Sequence, residues 1–131
     1  METDIKRREK MFELTVTSQF SGAHRLRNYK GKCEKLHGHN WKVEVVVSGE
    51  PDNSGMVVDF GILKKALENV LSKLDHSYLN DIGYFKKFNP SCENTAVYIF
   101  SKMKKELAEY NVKLKKVTVW ENERQSASYF E

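Results

Sequence analysis

The chain of 131 residues has only two cysteines, Cys33 and Cys92, and no apolar run near the roughly 20 residues that a membrane helix needs. Two thiols cannot build a disulfide framework, so both are expected to be free in a reducing compartment. The first ten residues, Met1-Glu-Thr-Asp-Ile-Lys-Arg-Arg-Glu-Lys10, carry charge but no apolar centre, and no secretory signal is expected. Strong charge of one sign is also lacking: 22 basic residues face 18 acidic ones, for a net +4. The two signs are interleaved, with no aromatic–basic pattern, which argues against nucleic acid as a partner. A mild positive excess does favour encounter with a small polyanionic substrate. No repeat, low-complexity tract or linker interrupts the chain. The composition of the whole chain, 40% hydrophobic and 31% charged, is what one soluble domain requires, and the length suffices to bury a core unaided. The expectation is a cytoplasmic protein with a loose arm at 1–10 and a single domain at 11–131.

Alternation places the first strand. Phe12, Leu14, Val16 and Phe20 are apolar on even positions, with Glu13, Thr15 and Thr17 between them. His24 falls on the same parity, although the small residues Ser21-Gly22-Ala23 predict a bulge or bend before it and would let a metal site or another backbone come close. A second strand follows over 41–47, with Trp41, Val43, Val45 and Val47 on odd positions. Glu50-Pro-Asp-Asn-Ser-Gly55 is a turn, and Met56-Val-Val predicts a further short extended piece. Asp59 reads as the N-cap of a helix carrying Leu63, Ala66, Leu67, Val70, Leu71 and Leu74 at helical spacing. Ser91 reads as the N-cap of a second helix, with Glu93 in its first turn and Ala96, Ile99, Phe100, Met103 and Leu107 on one face. A last strand covers 117–121, and the tail after Asn122 reads as polar. The order β-β-α-α-β predicts an α+β fold, an antiparallel sheet with two helices on one face.

The chemistry concentrates in one window. Of the four histidines in the chain, His24, His37 and His39 lie within sixteen residues. His37 and His39 stand at i and i+2 before a strand, so both imidazoles project to one face. Three imidazoles with an open fourth position are a catalytic zinc arrangement. The alternative is three unrelated polar residues. Cys33 lies four residues before His37 among lysines that favour a thiolate, a candidate base or nucleophile; otherwise it is a small buried side chain. Asp75-His76 offers a carboxylate that could orient an imidazole, or a polar helix end suited to the dipole. Glu121 continues the inward parity of Val117 and Val119. It could hold a pair of ligand N–H groups through two parallel hydrogen bonds, or simply end a strand.

Six pieces together carry a specific resemblance: Phe20-Ser-Gly-Ala-His24-Arg-Leu26, Cys33-Glu-Lys-Leu-His37-Gly-His39, Val58-Asp59-Phe60, Leu74-Asp75-His76-Ser-Tyr-Leu79-Asn80, Asn89-Pro90-Ser-Cys-Glu93-Asn94 and Val117-Thr-Val119-Trp-Glu121. In this order they closely resemble the 6-pyruvoyl-tetrahydropterin synthase family, whose bacterial and archaeal branch includes 6-carboxy-tetrahydropterin synthase. The resemblance implies the tunnelling fold, in which sheets of three subunits close a barrel and two trimers stack into a hexamer with active sites between subunits. It implies zinc held by His24, His37 and His39, a catalytic Cys33, a catalytic Asp75-His76 pair and a pterin-anchoring Glu121, with Glu93 at the substrate. The implied substrate is 7,8-dihydroneopterin triphosphate. The implied product is 6-carboxy-tetrahydropterin, made on the route to 7-deazaguanine nucleosides such as queuosine. The sibling activities are the pyruvoyl synthase and a dihydroneopterin aldolase, and a zinc-bound pterin carrier is the non-enzymatic alternative. Two departures stand out. Ser91 and Cys92 replace the Thr followed by Thr, Ser or Ala usual after Asn-Pro, and the N-terminal arm has no counterpart.

Overall fold

A computed structural model describes residues 10–28 and 35–131. The expected arm, apart from Lys10, lies outside the described residues, and so does Cys33. Strand β1 (Phe12–His24) and strand β2 (His37–Gly49) pair antiparallel along their full length. The register is one to one from Phe12↔Gly49 to His24↔His37, so the bulge expected at 21–23 is absent. The small residues there serve close approach instead. A Cβ on Gly22 would stand 3.2 Å from the Phe20 ring and 3.5 Å from the Leu74 carbonyl oxygen. Strand β2 is therefore longer than the apolar run at 41–47, and it starts on His37 itself.

Helix α1 (Phe60–Leu71) is capped as its sequence predicts, with an Asp59 carboxylate oxygen accepting the Gly61 N–H. It buries Leu63, Ala66, Leu67, Val70 and Leu71. Strand β3 (Ser77–Tyr78) then adds to the outer edge of β1. A 3-10 turn (Leu79–Asp81) and the short helix α2 (Gly83–Lys87) follow. Helix α3 (Cys92–Glu106) begins at Ser91, whose hydroxyl accepts the Asn94 N–H, and buries Ala96, Ile99, Phe100 and Met103. Strands β4 (Lys113–Trp120) and β5 (Ser126–Phe130) close the order β3-β1-β2-β4-β5. Helix α1 packs on β1 and on α3, and α3 packs on β4 and β5. The core lies between these helices and the inward residues Val16, Phe20, Trp41, Val43, Val45, Val47, Val117 and Val119.

The α+β class and the two main helices on one face stand as the sequence indicates, with three corrections. The sheet is mixed rather than antiparallel, because β3 runs parallel to β1. The extended piece expected near Met56 is no strand. The Asp52 N–H donates to the Met56 carbonyl and the Asp52 carbonyl accepts the Gly55 N–H, closing a turn around Gly55, at φ +85°, while Val57 packs on Gly49 instead of joining a ladder. The tail carries β5, hidden in the sequence by its small polar residues. It is a strand because β4 offers a free edge, with Thr118 and Ser128 sharing a hydroxyl hydrogen bond of 2.7 Å.

Candidate metal centre

The three histidines converge. The inward parity that buries Val16 and Phe20 also carries His24, 1% exposed. His24 stands directly opposite His37, and His39 stands opposite Gly22. One ligand nitrogen from each imidazole falls in a group spanning no more than 4.8 Å. Trp41 is the floor: fully buried, it stacks on Phe20 and meets the rings of His24 and His39 edge-on at 4.8 and 5.3 Å. Its indole N–H donates to the Gly22 carbonyl at 3.1 Å, which fixes the indole plane.

Hydrogen bonds decide the tautomers of two rings. His24 Nδ1 lies 2.7 Å from the Pro90 carbonyl oxygen, and His37 Nδ1 lies 2.8 Å from that of Lys35. A carbonyl only accepts, so each Nδ1 carries its proton and each neutral ring has its lone pair on Nε2. These two Nε2 atoms are 3.1 Å apart. Two lone pairs so close repel unless a cation lies within reach of both. An N–H to carbonyl bond on the far nitrogen is also the arrangement by which proteins orient metal-binding histidines. The donor set therefore fits a divalent metal such as zinc.

Glu121 follows directly on β4. Its Oε1 lies 3.7 Å from His24 Nε2, while Oε2 accepts the Gln125 amide N–H at 3.1 Å. The residue is one-fifth exposed, so the carboxylate borders the centre with an open side. Cys92 is half-buried behind it, and its thiol donates to the Val119 carbonyl. Burial, then the nearby Glu121 charge, push that thiol up to about 11, which keeps it protonated at neutral pH. Glu93, in the first turn of α3, is exposed.

The Asp75-His76 pair is a real contact: His76 Nδ1 lies 3.0 Å from Asp75 Oδ2. His76 has φ +55°, a left-handed conformation that costs a non-glycine residue on the order of 1 kcal/mol. Two bonds to one residue hold it there. The His76 N–H donates to the Ser21 carbonyl, and Asp75 Oδ1 accepts the Ser21 N–H at 2.9 Å. That backbone bond, and secondarily His76, keep the Asp75 carboxyl below its usual range. His76 and His39 border one open cleft of about 550 Å³ together with Ser21, Asn40 and Tyr78. The pair and one edge of the histidine cluster thus face common space. Sequence reasoning missed the Trp41 floor and the Pro90 and Lys35 carbonyls. Carbonyls leave no residue-type signal.

The fold and site define a protein with a mixed five-stranded sheet and a candidate three-histidine metal centre at one end of it. The sequence model of the family described as 6-pyruvoyl tetrahydropterin synthase matches residues 13–131. A protein of Archaeoglobus fulgidus, provisionally named as a 6-carboxy-5,6,7,8-tetrahydropterin synthase, is 43% identical over 108 residues, covering 82% of this chain and 86% of its own. A dihydroneopterin monophosphate aldolase of Pyrococcus furiosus is 44% identical over 88 residues, covering 67% and 72%. The solved 6-pyruvoyl tetrahydropterin synthase of Caenorhabditis elegans superposes with a TM-score of 0.82 at 31% identity, covering 93% of this chain and 96% of its own. The chain belongs to the 6-pyruvoyl tetrahydropterin synthase family, a family of enzymes acting on pterins.

Proposed function

We propose that the protein is a zinc-dependent 6-carboxy-5,6,7,8-tetrahydropterin synthase. In this reading it is a cytoplasmic lyase of 7-deazaguanine (queuosine) biosynthesis that converts 7,8-dihydroneopterin triphosphate to 6-carboxy-tetrahydropterin, acetaldehyde and triphosphate. The observation that carries the metal reading is the facing pair of Nε2 atoms on His24 and His37, 3.1 Å apart with both Nδ1 atoms committed to carbonyls. The carboxy product is supported by the similarity to the Archaeoglobus protein.

Zinc bound by His24, His37 and His39 would supply Lewis acidity toward the side-chain hydroxyls of the substrate. Glu121 accepts the paired N–H groups of the pterin ring, which sets the side chain against the centre. Its 3.7 Å separation from His24 suits a ring edge held beside the histidines. Glu93, in the first turn of α3, borders the substrate. Cys33 removes a carbon-bound proton as thiolate, and His76, oriented by Asp75, relays a second. Trp41 and Phe20 exclude water beneath the histidines. Residues 11–131 form the catalytic domain, with 1–10 as an arm. The working enzyme is a hexamer, a dimer of trimers. Exposed strand edges support this: among the described residues the outer edge of β1 pairs only at Gly22 and Ala23, with β3, and exposed Phe12, Met56 and Phe60 lie along it, with exposed Phe130 on the β5 edge.

The pyruvoyl synthase is the second reading, favoured by the likeness to the Caenorhabditis structure. The test is to incubate zinc-loaded protein with dihydroneopterin triphosphate, trap volatile aldehyde and identify the pterin by mass. Aldehyde with 6-carboxy-tetrahydropterin is expected. Pyruvoyl-tetrahydropterin without aldehyde rejects the carboxy assignment. Turnover of dephosphorylated dihydroneopterin alone assigns the aldolase, and pterin binding without turnover assigns a carrier.

A further inference from the structure

Strand β1 ends at His24, yet the chain beyond it stays paired, now to side chains. The Arg25 N–H donates to Asn80 Oδ1 at 3.0 Å, and Asn80 Nδ2 donates to the Arg25 carbonyl at 2.9 Å. Two residues on, the Arg27 N–H donates to Asn89 Oδ1 and Asn89 Nδ2 to the Arg27 carbonyl, both at 2.8 Å. A primary amide offers the same donor and acceptor as a peptide group, so each asparagine replaces one partner residue of a ladder. Their targets are at i and i+2, the groups that face one side of an extended chain. Asn80 is buried, 8% exposed.

The second clamp reaches the metal centre by another route. Asn89 precedes Pro90, whose carbonyl accepts the His24 Nδ1 proton. The Asn89 carbonyl is itself held by Asn94 Nδ2 at 2.9 Å, and the Arg27 guanidinium donates to the Phe85 carbonyl at 2.6 Å. Residues 24–27 and 80–94 are therefore stitched together around a single imidazole. The ring plane of His24 depends on the separation of those two segments, which the amide clamps set.

We propose that Asn80 and Asn89 are positioning residues of the metal centre: by pairing with the backbone of Arg25 and Arg27 they hold the end of β1 against the Pro90 turn and so fix the direction of His24 Nε2. This inference rests on the metal reading above. Neither asparagine ligates; each acts through His24. Partners that orient a ligand from behind typically carry roughly 10- to 100-fold in metal affinity.

The test uses the full chain, stripped with a chelator and titrated with cobalt(II), whose d–d absorption reports ligand geometry. Wild type, Asn80→Ala, Asn89→Ala and a control, Asn69→Ala, are compared. Asn69 bonds Glu106 on the exposed far side of α1. Asn80→Ala and Asn89→Ala should each weaken cobalt binding by roughly 10-fold or more and change the d–d band, with circular dichroism confirming that the protein titrated is folded. The control should do neither. If an alanine variant does not fold, serine at the same position is read in its place. Unchanged affinity and band in folded variants at both positions would overturn the inference. Failure of wild type to bind cobalt would instead overturn the metal reading, and the inference with it.

Discussion

Trp41→Phe is the most informative single change outside the histidines. Trp41 has no exposed surface, donates its indole N–H to the Gly22 carbonyl and floors both His24 and His39. Phenylalanine keeps the stacking on Phe20 but loses the donor. The Gly22 carbonyl keeps its place in the β1–β2 ladder opposite His39 and loses only its second donor, a net hydrogen bond of about 0.5–1.5 kcal/mol. The smaller ring leaves a void of about 40 Å³, which at about 24 cal/mol per Å³ adds about 1 kcal/mol. The sum, about 1.5–2.5 kcal/mol, is a sizeable share of the stability of a domain this size. At roughly 3–5 °C per kcal/mol, it should lower the melting temperature of the metal-free protein by about 5–12 °C, read by differential scanning calorimetry. Zinc affinity should fall as well, because two ligand rings lose the edge contact that orients them. A melting temperature within 2 °C of wild type would refute the reasoning, since neither the lost hydrogen bond nor the void could then carry its assigned cost.

Four other outcomes are expected. His37→Ala should lower zinc content at least about tenfold by metal analysis, because it removes one of three converging imidazoles; full occupancy would dismiss the site. Cys33→Ala should retain fold and zinc but lose roughly two to four orders of magnitude in turnover, and near-normal rates would leave Cys33 without a catalytic role. Asp59→Ala should destabilise by about 1 kcal/mol through loss of the cap on α1, seen as a drop of roughly 3–5 °C in thermal midpoint; an unchanged midpoint would count against it. Cys92 should resist iodoacetamide at pH 8 in the folded protein and react only as pH approaches its raised value, about 11, as followed by peptide mass. The sign follows from burial favouring the protonated thiol. Any stability it adds is complete below its ordinary value of 9.0 and is lost as pH climbs toward about 11. Rapid alkylation at pH 8 would show the thiol to be exposed.

Much of this protein is legible in its residues. The period-two pattern of β1 and β2 places His24, His37 and His39 on the inward parity, because alternation is a property of any extended chain. The caps at Asp59 and Ser91, and the apolar faces of α1 and α3, follow from local chemistry in the same way. What sequence periodicity cannot carry is pairing. Strand β5 consists of Ser126-Ala-Ser-Tyr-Phe130, and only the free edge of β4 makes it a strand. The two-residue β3 and the helix α2 are too short to show a period.

The sequence by itself determined which side chains could meet a metal and on which face they lie. Local geometry and parity suffice for that. Only the tertiary structure decided that His24 stands opposite His37, that His39 stands opposite Gly22, and that a carbonyl from the Pro90 turn, 66 residues along the chain, fixes the His24 tautomer. These are contacts between distant segments, set by strand register and by helices packing on the sheet. No local preference encodes such a contact, because its energy exists only once the core has brought the segments together.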